Sequence, residues 1–192
     1  MSNEGEIQLD AGLLRQSAVG DRLAFLTFMT RHQAAVLRFC RTLAGSRQDA
    51  EDVLQETFLT AWRKAATFEG RGGARSWLLT IARRKFYRSA RSPKPTPAGD
   101  VATLEELGAA AGWGRSDSSR RFGLDEQIEL RRAFESLSRS DRQILVLRDL
   151  EGFSNAESAA ILGIEVPAVK SRLHRARLRL MSRLTKGANH EG

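Results

Sequence analysis

Apolar residues recur at steps of three and four along most of the chain, the spacing that lines one face of an α-helix. No short run alternates convincingly as a strand. Leu26, Met29, Val36, Leu37, Cys40 and Leu43 line the inner side of an early helical region. Val53, Leu54, Thr57, Phe58, Ala61, Trp62 and Ala65 mark the next. Ser46 is placed to cap that helix, with Asp49 three residues on and acids in the first turn, where they complement the helix dipole. Phe68 to Ser76 holds Gly70, Gly72 and Gly73 and reads as a flexible loop. Trp77, Leu78, Ile81 and Ala82 open a further helix, which Pro93, Pro95 and Pro97 bring to a stop.

Beyond the prolines, Gly, Ala, Ser and scattered charge predominate up to about Gly123, with Leu104, Leu107 and Trp113 the only sizeable apolar groups. Helical spacing resumes with Leu124, Ile128, Ala133, Phe134 and Leu137. Ser140-Asp141-Arg142-Gln143 has the pattern of a capping box opening the helix that carries Ile144, Leu145 and Leu147. Ser154-Asn155-Ala156-Glu157 is a second such box, and Gly152 and Gly163 stand where helix C-caps are wanted. The chain reads as all-α: two small helical domains joined by a flexible linker. The expected parts are an N-terminal segment 1–20, a first domain 21–91, a linker 92–123, a second domain 124–186 and a tail 187–192.

The second domain contains a helix-turn-helix pattern. Ser154 to Leu162 is a short helix, Gly163 a turn, and Val166 to about Leu184 a longer helix whose start Pro167 fixes. Val166, Val169, Leu173, Ala176, Leu180 and Leu184 form its apolar stripe. The other side offers Lys170, Ser171, Arg172, His174 and Arg175 near the N-terminal half, the part of such a helix that enters the major groove. Arg can donate bidentately to guanine there, and Lys, Ser or His can reach base edges or phosphates.

Charge sharpens this picture. The chain has 192 residues, with 31 Lys and Arg against 23 Asp and Glu, a formal net charge of +8. Two stretches are basic and free of acids. The first, 71–91, carries Arg71, Arg75, Arg83, Arg84, Lys85, Arg88 and Arg91. The second, 166–186, carries Lys170, Arg172, Arg175, Arg177, Arg179, Arg183 and Lys186. Between Ser46 and Phe58 the sign reverses, with Asp49, Glu51, Asp52 and Glu56 against the lone Arg47. Two such basic blocks point to nucleic acid as a partner.

These residues resemble the extracytoplasmic-function sigma factors of bacterial RNA polymerase. Asp49-Ala50-Glu51-Asp52-Val53-Leu54-Gln55-Glu56-Thr57-Phe58, with Ala61-Trp62, is similar to the family's acidic helix that docks on core polymerase. The resemblance implies polymerase-binding roles for Asp49, Glu51, Asp52, Gln55 and Glu56. Ser76 to Arg83 looks like the helix that captures the melted minus-ten element, implying DNA contacts by Arg71, Arg75, Trp77, Arg83, Arg84 and Arg88. Gly152 to Leu184 is similar to the part that reads the minus-thirty-five element, implying Lys170, Ser171, Arg172, His174 and Arg175 as its readers. The region around Leu137 to Leu150 would meet the polymerase flap, and the linker with Trp113 would lie near the RNA exit path. Inhibitory anti-sigma proteins are common in the family, and no residue here identifies one.

Family members often carry Asn two residues after the Ile-Ala pair and Asp four residues beyond it; here those positions are Arg84 and Arg88. Arg84 can stack on or hydrogen-bond a base, or bind phosphate, and which of these it does decides base specificity at the minus-ten element.

No catalytic set is expected. His32, His174 and His190 are scattered, and no Gly-rich phosphate loop is present. Cys40, the only cysteine, excludes an internal disulfide framework and a multi-cysteine metal site, and its apolar stripe marks it as a buried structural thiol. No cofactor and no metal are expected. No run approaches the roughly 18 apolar residues of a membrane span, and the N-terminus lacks the blocks of a signal peptide, so a cytoplasmic location is expected. Two rivals remain at this level: a helix-turn-helix regulator that binds an operator without polymerase, and an adaptor whose basic helices meet an acidic protein.

Overall fold

The computed structural model describes residues 3–70, 73–89 and 124–188. The chain divides into two compact units, Met1–Ala98 and Gly99–Gly192. Among the described residues both are built from helices, with no strand. The segment 92–123, Trp113 included, lies outside the described residues.

In the first unit α1 spans Asn3–Ala18, α2 Arg22–Leu43, α3 Arg47–Arg63 and α4 Gly73–Ser89, with a short 3-10 turn at Ala65–Thr67. Polar side chains set the starts of two helices. Asp21 accepts from the backbone N–H of Leu23 and Ala24, and Ser46 accepts from that of Asp49, each satisfying donors that a helix start leaves unpaired. Phe28, Val36, Phe39, Cys40 and Leu43 of α2 meet Ala50, Phe58 and Ala61 of α3 and Leu78, Leu79 and Ala82 of α4, all of them buried. Burial pushes the Cys40 thiol up to about 12, so it stays protonated and serves as a packed apolar group, as its stripe suggested.

The inner side of α2 differs from the expected one. Leu26 is 53% exposed, and Ala24, Phe28, Ala35 and Phe39 fill the core beside Val36, Cys40 and Leu43. Two apolar stripes run along this helix; Phe28 and Phe39 take the inward one, and Phe25 stays half-exposed on the other.

α1 occupies a segment for which the sequence reading gives no element. Its apolar and polar positions are weakly segregated, because an acid faces inward while Leu9 faces out. Asp10 is buried, its carboxylate held 2.9 Å from His32 Nε2 and 3.1 Å from Arg31 Nε, both on α2. Leu14, one turn further along, is fully buried beside it in sequence.

In the second unit α5 spans Leu124–Glu135, α6 Arg139–Leu145, α7 Asn155–Leu162 and α8 Val166–Ala188, with a π-helical turn at Val146–Leu150 after α6. Phe134, Leu137, Ile144, Val146, Leu147, Phe153, Ile161, Leu162, Val169, Leu173 and Ala176 form its core. Ser138, not Ser140, caps α6. A start at Arg139 places Asp141 where Ser138 satisfies its backbone N–H, while its buried carboxylate accepts from Arg179 at 2.7 Å. Arg142 reaches back from α6 to the carbonyls of Glu135 and Leu137, at 2.8 and 2.9 Å, and so closes the end of α5.

The helix-turn-helix has the expected form. Ser154 and Glu157 make a reciprocal capping box at the start of α7, and Gly163 ends it in the left-handed region at φ 61°, which a side chain would strain.

Candidate polymerase and nucleic-acid interfaces

The acidic residues share α3, which exposes Glu51, Asp52, Gln55 and Glu56 on the side opposite buried Val53, Thr57 and Ala61. Asp49 is different: half-buried at the helix start, it accepts from the Ser46 hydroxyl at 2.8 Å, so its carboxylate is already engaged in the cap. Glu51 pairs with Arg47 one turn earlier at 2.8 Å. Glu56 accepts from Lys85 Nζ of α4 at 3.0 Å, and the hydrogen bond and charge of Lys85 hold its carboxyl below the usual range. Asp52 and Gln55 stand exposed.

Beside this acidic side lies an open apolar groove of about 530 Å³ that the sequence reading does not foresee. Phe25 and Met29 of α2 form one wall, and Leu54, Phe58, Leu59 and Trp62 of α3 the other, with Arg22, Gln33, Glu51 and Gln55 at its polar edges. Phe25 meets Trp62 edge-on at 4.9 Å and Phe58 at 6.5 Å, which fixes the floor. Leu54 and Trp62 belong to the apolar run that marks this helix, and both stay half-exposed in this groove. The available signal was surplus: each helix carries more apolar residues than a single inward stripe needs.

α4 begins at Gly73, earlier than the expected Trp77, so Gly73 to Ser76 are helical rather than loop. Gly73 has φ +76°, a conformation that permits the sharp entry into the helix. Arg71 lies outside the described residues. Arg75 and Trp77 are half-buried, and Trp77 packs on Phe68 with ring centroids 5.1 Å apart. Arg83 is half-buried with its guanidinium 5.0 Å from the Tyr87 ring centroid, while Arg84 and Arg88 are exposed. Trp77, Arg83, Arg84 and Arg88 lie on the outer side of α4, opposite buried Leu78, Leu79, Ala82 and Phe86, whereas Arg75 falls on the inner side, in register with Leu79 and Ala82.

On α8, Lys170, Ser171, His174 and Arg175 are exposed together, opposite buried Val169, Leu173 and Ala176. Arg172 sits half-buried at the margin. Further along, the basic block is less free than a linear count suggests. Arg177 donates through Nε to Asp149 at 3.1 Å, and Arg179 donates to Asp141 at 2.7 Å. The stretch contains no acid in sequence, but the fold brings two to it.

Among the described residues no three His, Cys, Asp or Glu side chains are grouped to hold a metal ion. No described helix is long and apolar enough to cross a membrane.

Comparison with known proteins matches both units. Residues 28–95 match the Sigma-70 region 2 family, and residues 127–180 match Sigma-70, region 4. The chain is 31% identical to the RNA polymerase sigma factor CnrH of Cupriavidus metallidurans, over 91% of this chain and 94% of that one. It is 33% identical to the ECF RNA polymerase sigma factor SigM of Mycobacterium tuberculosis, over 89% of this chain and 82% of that one. Identity to the ECF RNA polymerase sigma-E factor of Escherichia coli is 34%, over 88% and 90% of the two chains. Among solved structures, CnrH in complex with the cytosolic domain of CnrY superposes with a TM-score of 0.63 at 28% identity, covering 93% of this chain and 98% of that one. RpoE of Bartonella quintana, solved with the anti-sigma factor NepR, gives 0.61 at 28% identity, covering 84% and 96%. The chain belongs to the extracytoplasmic-function sigma factors, non-enzymatic initiation factors that direct promoter-specific transcription by bacterial RNA polymerase.

Proposed function

We propose that the three exposed surfaces divide the work of initiation. The outer side of α3, with Asp49, Glu51, Asp52, Gln55 and Glu56, docks on a basic surface of core polymerase. The outer side of α4 and the approach to it hold the melted minus-ten strand through Arg71, Arg75, Trp77, Arg83, Arg84 and Arg88. The exposed side of α8 reads the minus-thirty-five duplex through Lys170, Ser171, Arg172, His174 and Arg175. The protein works in the cytoplasm, where polymerase and chromosome meet, and polymerisation chemistry belongs to the polymerase.

The observation that carries this reading is segregation of sign on the surface. An exposed acidic side in a chain of +8 net charge repels phosphate, so it supports a basic protein partner. The same side borders the apolar groove, and a charged rim around an apolar floor suits a protein interface. A regulator that binds an operator unaided leaves the exposed acidic side without a role. The solved relatives were captured with the cytosolic domain of CnrY and with NepR, which supports an anti-sigma protein as a further partner here.

Reversing charge at Asp52 and Glu56, as Asp52→Lys with Glu56→Lys, tests the docking assignment. Association with core polymerase is expected to be lost while circular dichroism stays unchanged. Retained association would remove α3 from the interface.

A further inference from the structure

Tyr87, the only tyrosine of the chain, is 40% exposed on α4, although it is not among the residues assigned to DNA. Helical spacing places Ser76, Thr80, Arg83, Arg84, Tyr87 and Arg88 along the outer side of α4, with Tyr87 near its middle. Its ring is held from two directions. The buried Phe86 ring meets it at 5.3 Å and 77°, and the Arg83 guanidinium lies 5.0 Å from its centroid. Arg84 and Arg88, both exposed, flank it along the helix.

The chemistry of that arrangement selects its ligand. Guanidinium groups alone serve any polyanion, duplex or single-stranded, because they need only phosphate. An exposed aromatic ring among them adds a flat apolar surface that phosphate cannot use. Bases inside a duplex are stacked on each other and cannot lie on it, whereas an unpaired base can. Every base has a π-face, so such contact holds a strand without choosing its sequence.

We propose that Tyr87 is a stacking platform for an unpaired base, with Arg83 orienting the ring and Arg84 and Arg88 taking neighbouring phosphates. The proposal rests on the reading that α4 holds the melted strand. It gives the two arginines at positions 84 and 88 a role alongside the ring: strand retention by charge and stacking, in place of recognition of one base by a polar side chain.

The test uses the full chain, two labelled probes and fluorescence anisotropy at low salt. One probe is a short thymidine oligomer; the other is an abasic oligomer of the same length and charge. The unaltered protein is expected to bind the thymidine oligomer roughly ten-fold more tightly. Tyr87→Leu is expected to remove most of that preference without changing affinity for the abasic probe, and Tyr87→Phe to keep it. A preference that survives Tyr87→Leu, or no preference in the unaltered protein, would overturn the platform. Replacing Arg84 and Arg88 together by Ala reports on the underlying reading: weaker binding of both probes keeps the strand on α4, and unchanged binding of both removes it from there and the platform with it. Circular dichroism of each variant separates these outcomes from unfolding.

Discussion

Lys85 of α4 donates to a carboxylate oxygen of Glu56 on α3 across 3.0 Å, so the helix assigned to strand capture is tied to the helix assigned to polymerase docking. Lys85 is the one basic residue between Arg83 and Arg88 that turns toward the protein rather than lying with the outer arginines. A basic group of a docking partner would compete with it for Glu56.

Both members of that pair keep contact with water, so their link contributes little to folding. Lys85→Met is expected to change unfolding free energy by less than about 1 kcal/mol in urea titration. Its effect on docking has the opposite sign from that of Glu56 reversal. With Lys85 gone, Glu56 is unopposed and association with core polymerase is expected to strengthen or hold. Weakened association in a folded Lys85→Met protein would show that the polymerase needs the pair intact.

The attachment of α1 depends on a buried acid. Burial raises the Asp10 carboxyl, but the hydrogen bond and charge of His32, followed by those of Arg31, outweigh it and hold the pKa below the ordinary value. A carboxyl whose pKa falls on folding gives stability that is complete above its unfolded pKa and disappears as pH drops through the folded one. Asp10→Asn is therefore expected to cost about 1–3 kcal/mol near neutral pH. The gap from the unaltered protein should narrow in urea titrations taken below about pH 4, where the unfolded carboxyl gains its proton. A gap of constant size across that range would contradict this account of α1.

On α8 two kinds of basic residue can be told apart by salt. Lys170 is exposed on the proposed reading side, whereas Arg177 is engaged by Asp149. Lys170→Ala is expected to lower the slope of log affinity against log salt by about 1, as for the loss of one phosphate contact. Arg177→Ala is expected to leave the slope nearly unchanged, because its charge is already answered within the fold. Equal slopes for the two variants would place both side chains on phosphate.

Arg175 stands exposed beside Ser171 and His174. If it reads a base, Arg175→Ala costs about 1–3 kcal/mol of discrimination between promoter and altered minus-thirty-five sequences. Binding assays on paired duplexes measure this directly. Uniform weakening on every sequence would make Arg175 a phosphate contact.

Much of this molecule was legible from local rules. The caps at Ser46 and Ser154 and the turn at Gly163 follow from chemistry within a few residues, and the structure has each of them. The buried thiol at Cys40 followed from its stripe. The misses are tertiary. α1 was hidden because Asp10 faces inward, and its partners His32 and Arg31 lie on another helix. The cap of α6 was read at Ser140 because Gln143 completes a local box there, whereas the contact of Asp141 with Arg179 supports the earlier start at Ser138. Pairing of Arg177 and Arg179 with Asp149 and Asp141 likewise joins residues far apart in sequence, so a count of charge along the chain sees only the bases. The groove between α2 and α3 depends on which of two apolar stripes turns inward, which is set by contacts between helices rather than by spacing within one.

The most direct test is in vitro transcription from host genomic DNA with sigma-free core polymerase, with and without this protein, mapping the RNA start sites. Discrete new starts that share two upstream elements are expected, and they would supply both recognition sequences at once. Absence of new starts, from a folded protein beside a working control sigma factor, would contradict the account and leave the acidic side of α3 without a role.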